Sequence, residues 1–151
     1  MPPRATRSRS RRAFVATATA VALMTLASCS SGPHRPGGTR VPVTLRDYRI
    51  SASTATLSAG LISFDIVNRG PSTHEFVVFE TDRAPDRMPL GTDGLTIDED
   101  SPAVRHIGEL AQVDVGRSTT LALRLSPGTY VFICNMEGHY LGGMHTQVTV
   151  H

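Results

Sequence analysis

From Ile62 to Ile66, and again from Leu121 to Leu125, every second residue is apolar while the residues between are polar or small. A period of two places alternate side chains on opposite faces of an extended strand, so each segment turns one face to a core and the other to water. Tyr130, Phe132 and Cys134 share a face in the same way. Turn-forming residues separate these runs: Ser58–Gly60 (SAG), Asn68–Ser72 (NRGPS) and Ser126–Gly128 (SPG). Further strands are expected at 41–50, 74–80, 107–115 and 145–150. About seven to eight short strands joined by hairpin-length gaps predict an all-β domain, an antiparallel Greek-key β-sandwich or barrel. Residues 81–104 break the pattern with Pro85, Pro89, Gly91, Gly94 and Pro102. They read as a long solvated excursion with at most one helical turn. Residues 80–100 hold seven acids against Arg83 and Arg87, enough negative charge to steer a basic partner at low salt.

The other end of the chain has a different character. Residues 1–12 carry five arginines and no acid, and an apolar run follows from Ala13 to Ser28. That run is short for a bilayer span, and its basic flank marks it as an export signal. Its end, LASC, resembles the lipobox of bacterial lipoproteins, which implies cleavage after residue 28 and lipidation of Cys29. The SRRAFV segment at Ser10–Val15 resembles a twin-arginine signal. The expected organisation is a signal peptide at 1–28, a lipidated cysteine with a flexible Gly/Pro/Ser-rich tether at 29–40, and one domain at 41–151. The destination is the outer face of the bacterial cytoplasmic membrane.

Removing the leader inverts the charge balance. All 15 basic residues of the chain are arginines, five of them in the leader, so 10 remain against 13 acids. The remaining arginines are scattered, which argues against a nucleic-acid footprint. With Cys29 lipidated, Cys134 has no cysteine to pair with in an oxidising compartment, and a metal would protect it.

Cys134 opens the segment CNMEGHYLGGM, whose Cys134, His139 and Met144 follow a C-x4-H-x4-M spacing. Gly138, Gly142 and Gly143 free the backbone to fold back on itself. His74, at the start of HEFVVF, supplies a further ligand from a second strand end. One thiolate, two imidazoles and a thioether suit a mononuclear copper ion that alternates between Cu(I) and Cu(II). Zinc is the alternative, although structural zinc more often takes two or more cysteines and catalytic zinc keeps a position open for water.

Two segments resemble the cupredoxin (type 1 blue copper) family. NRGPSTHEFVV is similar to its first-histidine segment, N-x-G-x-x-x-H-x-F, and GTYVFICNMEGHYLGGM to its second, G-x-Y-x-F-x-C followed by His and Met. The ligand-loop spacing is like that of auracyanins and rusticyanins. The resemblance implies copper ligands at His74, Cys134, His139 and Met144, a backbone N–H of Glu75 directed at the sulfur, and a partly exposed His139 as the exit for electrons. It also implies an apolar docking rim of Met136, Tyr140 and Leu141. His145 stands where many members have glycine, which puts a bulky polar group near the metal or just outside it.

The expected function is single-electron transfer by a monomeric, membrane-tethered blue copper protein serving redox partner proteins of an electron-transport chain. Copper storage, delivery or resistance is the alternative on the same residues. An enzyme built on a Cys134/His74 nucleophile pair would leave His139 and Met144 without a role.

Overall fold

The computed structural model describes residues 38–151; the expected signal, Cys29 and most of the tether lie outside the described residues. The described residues form nine strands and no helix: β1 (Thr39–Arg46), β2 (Arg49–Ala52), β3 (Thr56–Leu57), β4 (Gly60–Asn68), β5 (His74–Glu80), β6 (Arg105–Val113), β7 (Ser118–Leu125), β8 (Gly128–Ile133) and β9 (His145–Val150). They make two sheets, ordered β2-β1-β4-β7 and β3-β9-β8-β5-β6.

The all-β sandwich expected from the alternation is present, with two corrections. The sheets are mixed rather than purely antiparallel, because β1 runs parallel to β4 and β3 parallel to β9. The run expected as one strand at 41–50 is a hairpin, β1 and β2 paired antiparallel with Arg46 opposite Arg49. Asp47 and Tyr48 form its tip, where Tyr48 adopts a φ of 59° that breaks the extended path.

The inner faces meet in a core that includes Val41, Val43 and Leu45 of β1, Ile62, Phe64 and Ile66 of β4, Phe76 and Val78 of β5, and Tyr130 and Phe132 of β8. Phe132 stands 5.2 Å, centroid to centroid, from both Phe64 and Phe76, so β4, β5 and β8 lock together through three fully buried rings. Such aromatic pairs add about 0.5–1.5 kcal/mol each beyond the area they bury. The same cluster continues to Cys134 and Met144 at one end of the sandwich.

Strands β5 and β8 are buried on both faces, which strict alternation does not announce. Their outer faces hold Val77, Phe79, Val131 and Ile133, and these are covered by Met88 and Ile97 of the 81–104 excursion together with Tyr140. The excursion is therefore a lid on the five-stranded sheet rather than a solvated loop. It contains no helical turn and is braced by a single bridge between Leu90 and Ile97.

Candidate metal centre

The first donor is placed by a turn. Asn68, the last residue of β4, is fully buried. Its Nδ2 donates to Ser72 O at 2.7 Å and to Val113 O at 2.8 Å, and its Oδ1 accepts from Gly70 N at 2.9 Å. One side chain thus ties the 68–72 turn to β6 and delivers the chain to His74, the first residue of β5. Opposite this point β6 bulges: His74 pairs with Val113 but Phe76 with Leu110. Bulges commonly re-aim groups beside functional sites. Here the Glu75 amide between the two pairs donates to Cys134 Sγ at 3.2 Å.

The other donors come from the β8–β9 connection. Cys134 follows the last residue of β8, and its amide donates to Met144 O at 3.1 Å, closing the base of the loop. Met144 N donates in turn to His139 O at 3.0 Å, and His139 N to Met136 O at 2.9 Å. Gly138 (φ 75°) and Gly143 (φ 101°) take left-handed conformations that side chains disfavour. Backbone hydrogen bonds therefore fix where His139 and Met144 sit relative to the cysteine.

His74 Nδ1 and His139 Nδ1 lie 3.3 Å apart, His139 Nδ1 is 3.3 Å from Cys134 Sγ, and His74 Nδ1 is 4.0 Å from the sulfur. A point equidistant from the corners of that triangle lies about 2 Å from each, the usual length of a transition-metal bond to an imidazole nitrogen. Cys134, His74 and Met144 are fully buried and His139 is partly exposed. The residues present fit a mononuclear type 1 copper ion: a thiolate and two imidazoles in one plane, with a methionine held next to them.

Electrostatics suit the same reading. Burial pushes the His74 pKa down, partly opposed by Asp47 and reinforced by His139, so the ring is kept neutral with a lone pair to offer. Burial pushes the Cys134 thiol up, against the pull of the Glu75 and Met136 amides. A thiol held protonated must lose its proton to a metal, so metal affinity rises with pH.

Three expectations about the surroundings need correcting or refining. Tyr140 is not part of an exposed rim: it is buried, and its hydroxyl accepts from Met88 N at 2.9 Å, which ties the ligand loop to the lid. The exposed apolar groups near His139 are Leu141 and Tyr48, the latter edge-on to the imidazole with ring centroids 5.7 Å apart. His145 packs on Tyr140 at 5.2 Å, and burial lowers its pKa; it lies outside the three-donor group. Sequence reasoning passed over Asp47, Tyr48 and Asn135, and read Asn68 only as part of the turn and first-histidine segment, without its buried hydrogen bonds. Asn135 Oδ1 accepts from Ile97 N at 2.6 Å, pinning the lid beside the cysteine. An acid and an aromatic interrupting an apolar alternation was the available signal for the hairpin tip.

A second set of donor atoms, on Glu99, His106 and Glu109, also lies within 4.8 Å of one another. All three side chains are solvent-accessible, and one Glu99 oxygen is taken by Asn135 Nδ2 at 2.7 Å. These are solvent-accessible surface contacts, unlike the first triangle, in which His74 and Cys134 are buried.

Taken together, the mixed two-sheet sandwich has a cupredoxin-like fold, and His74, Cys134 and His139, with Met144 hydrogen-bonded through its backbone to Cys134 and His139, form a donor set that fits a type 1 copper ion. No family model and no curated protein matches the chain, but solved structures do. Auracyanin B is 25% identical, with 75% of this chain and 88% of that one covered at a TM-score of 0.55. Dithionite-reduced auracyanin from Roseiflexus castenholzii is 21% identical over 76% of this chain and 99% of that one, with a TM-score of 0.54. Reduced rusticyanin is 19% identical over 76% and 81%, with a TM-score of 0.54.

Proposed function

We propose that this domain carries single electrons through a copper ion at His74, Cys134, His139 and Met144, and that it does so outside the cytoplasm, tethered by lipid on Cys29. The observation that carries the reading is the buried donor triangle, assembled from two strand ends and one loop and held by backbone hydrogen bonds. Copper bound there would supply one electron's worth of redox chemistry, changing valence between Cu(I) and Cu(II). The chain's own contribution is to keep the donors from moving between a geometry suited to nitrogen and one suited to sulfur, which lowers the reorganisation that opposes transfer. Partly exposed His139, between Tyr48 and Leu141, is the contact point for a redox partner. The acids of residues 80–100 favour a basic one.

Copper loading of the soluble domain tests the proposal directly. The Cu(II) form should be intensely coloured, bleach reversibly with reductant, and exchange electrons quickly while retaining the metal in both states. Ready loss of Cu(I) to a chelating partner would instead favour copper delivery. The tether has its own test: in bacteria expressing the full chain, the protein should fractionate with membranes, and Cys29→Ser should lose the lipid and remain uncleaved. An unlipidated wild-type protein would sink the anchor.

A further inference from the structure

The tip of the β1–β2 hairpin reaches the metal pole, and neither of its residues belongs to the donor set. Asp47 Oδ1 lies 3.0 Å from His74 Nε2, the ring nitrogen opposite the one that faces Cys134 and His139. The other carboxylate oxygen, Oδ2, accepts a hydrogen bond from Ser72 Oγ at 3.0 Å. Gly70 closes over this contact: a Cβ there would stand 2.8 Å from Asp47 Oδ1 and 2.9 Å from His74 Nε2, so a side chain has no room. The next residue, Tyr48, packs edge-on against His139. Two consecutive turn residues therefore each touch one of the two imidazoles.

We propose that Asp47 is the positioning residue of the site, holding His74 with its proton on Nε2 so that Nδ1 presents its lone pair to the metal, and placing a negative charge one ring away from it. The inference rests on the copper reading above. A neutral imidazole has one N–H and one lone pair, and an ionised carboxylate only accepts, so a carboxylate at Nε2 selects the tautomer with the proton there. The N–H does not point squarely at the oxygen, which makes this a short electrostatic contact rather than a well-aligned hydrogen bond. No other described group hydrogen-bonds to either atom, so nothing competes for it. Carboxylates behind metal-bound histidines fix ring orientation in this way and raise the basicity of the ligand. Because a negative charge favours the more positive metal, Asp47 stabilises Cu(II) over Cu(I).

Asp47→Asn separates this role from a purely structural one. Asparagine keeps an oxygen for the Ser72 hydroxyl but turns an N–H donor toward His74 Nε2, favouring the reverse tautomer and removing the charge. In the metal-free wild-type domain, ¹⁵N spectra should show His74 protonated on Nε2, and in the variant the population should move toward Nδ1–H. Copper affinity should fall about 10–100-fold. In the copper that remains, the reduction equilibrium should move about tenfold toward Cu(I), a rise of about 59 mV for one electron. Ser72→Ala, which leaves the charge but frees the carboxylate, should shift the tautomer less and in the same direction. An unchanged tautomer and potential in Asp47→Asn, with only thermal stability reduced, overturns the proposal. A wild-type domain that holds the Nε2–H tautomer but never turns blue supports the Asp47–His74 pairing and places the failure in the copper reading.

Discussion

Cys134→Ser should yield a folded domain that stays colourless when Cu(II) is added. The sulfur sits in the same buried cluster as Phe64, Phe76 and Phe132, and serine is close to it in size, so the sandwich has no large cavity to absorb. What is lost is the polarisable thiolate whose bond to copper produces the colour, together with the acceptor that Glu75 N meets at 3.2 Å. The hydroxyl does not ionise near neutral pH and is a poor ligand for Cu(I). Absorption and spin-resonance spectra before and after copper addition read the result. An intense visible band surviving in the variant would remove Cys134 from the centre.

The second large effect is expected at a residue that supplies no donor atom. Asn68→Ala removes three side-chain hydrogen bonds at a fully buried position, to Ser72 O, Val113 O and Gly70 N. A buried polar group left without its partner costs about 1–3 kcal/mol, so three of them put the loss at roughly 3–6 kcal/mol after partial rehydration. Domains of this size are stable by about 5–15 kcal/mol in total. The variant should therefore unfold at a much lower denaturant midpoint, and copper retention should fall with it, because the 68–72 turn delivers His74 to the pole. An unfolding free energy within about 1 kcal/mol of wild type would show that the turn holds itself without Asn68.

These two residues also mark how far the sequence could be read. Cys134, His139 and Met144 were legible because one loop of fixed spacing carries three metal-binding side chains, and His74 because it begins a strand after a turn with the right residues. The alternation in β4 and β7 announced the sandwich because each of those strands buries one face only. Strands β5 and β8 were harder, since both faces are covered and nothing local tells Val77 or Ile133 which layer it enters. The lid was misread for a related reason. Its many prolines, glycines and acids describe its own solvated parts, whereas Met88 and Ile97 are buried by a surface that exists only after β5 and β8 have paired. Tyr140 was assigned to the rim by the resemblance of the ligand loop to the family's; its hydroxyl bond to Met88 N is a contact between segments 52 positions apart. The turn at Asp47–Tyr48 was missed because residues 41–50 were taken as one strand, although Val41, Val43 and Leu45 lie in one phase of the alternation and Ile50 in the other; that change of phase across Asp47 and Tyr48 is where the backbone turns.

The Tyr48 ring also bears on any attempt to transplant the ligand loop. A Cβ at position 142 would stand 2.2 Å from Tyr48 Cδ1, so the hairpin tip and the loop are moulded to each other at a point where only glycine fits. Grafting residues 134–144 onto another sandwich without the tyrosine would leave a gap beside His139, and inserting a foreign loop here would meet the ring unless it too bends back at a glycine. The unit that can be exchanged between scaffolds is the loop and the hairpin as a pair.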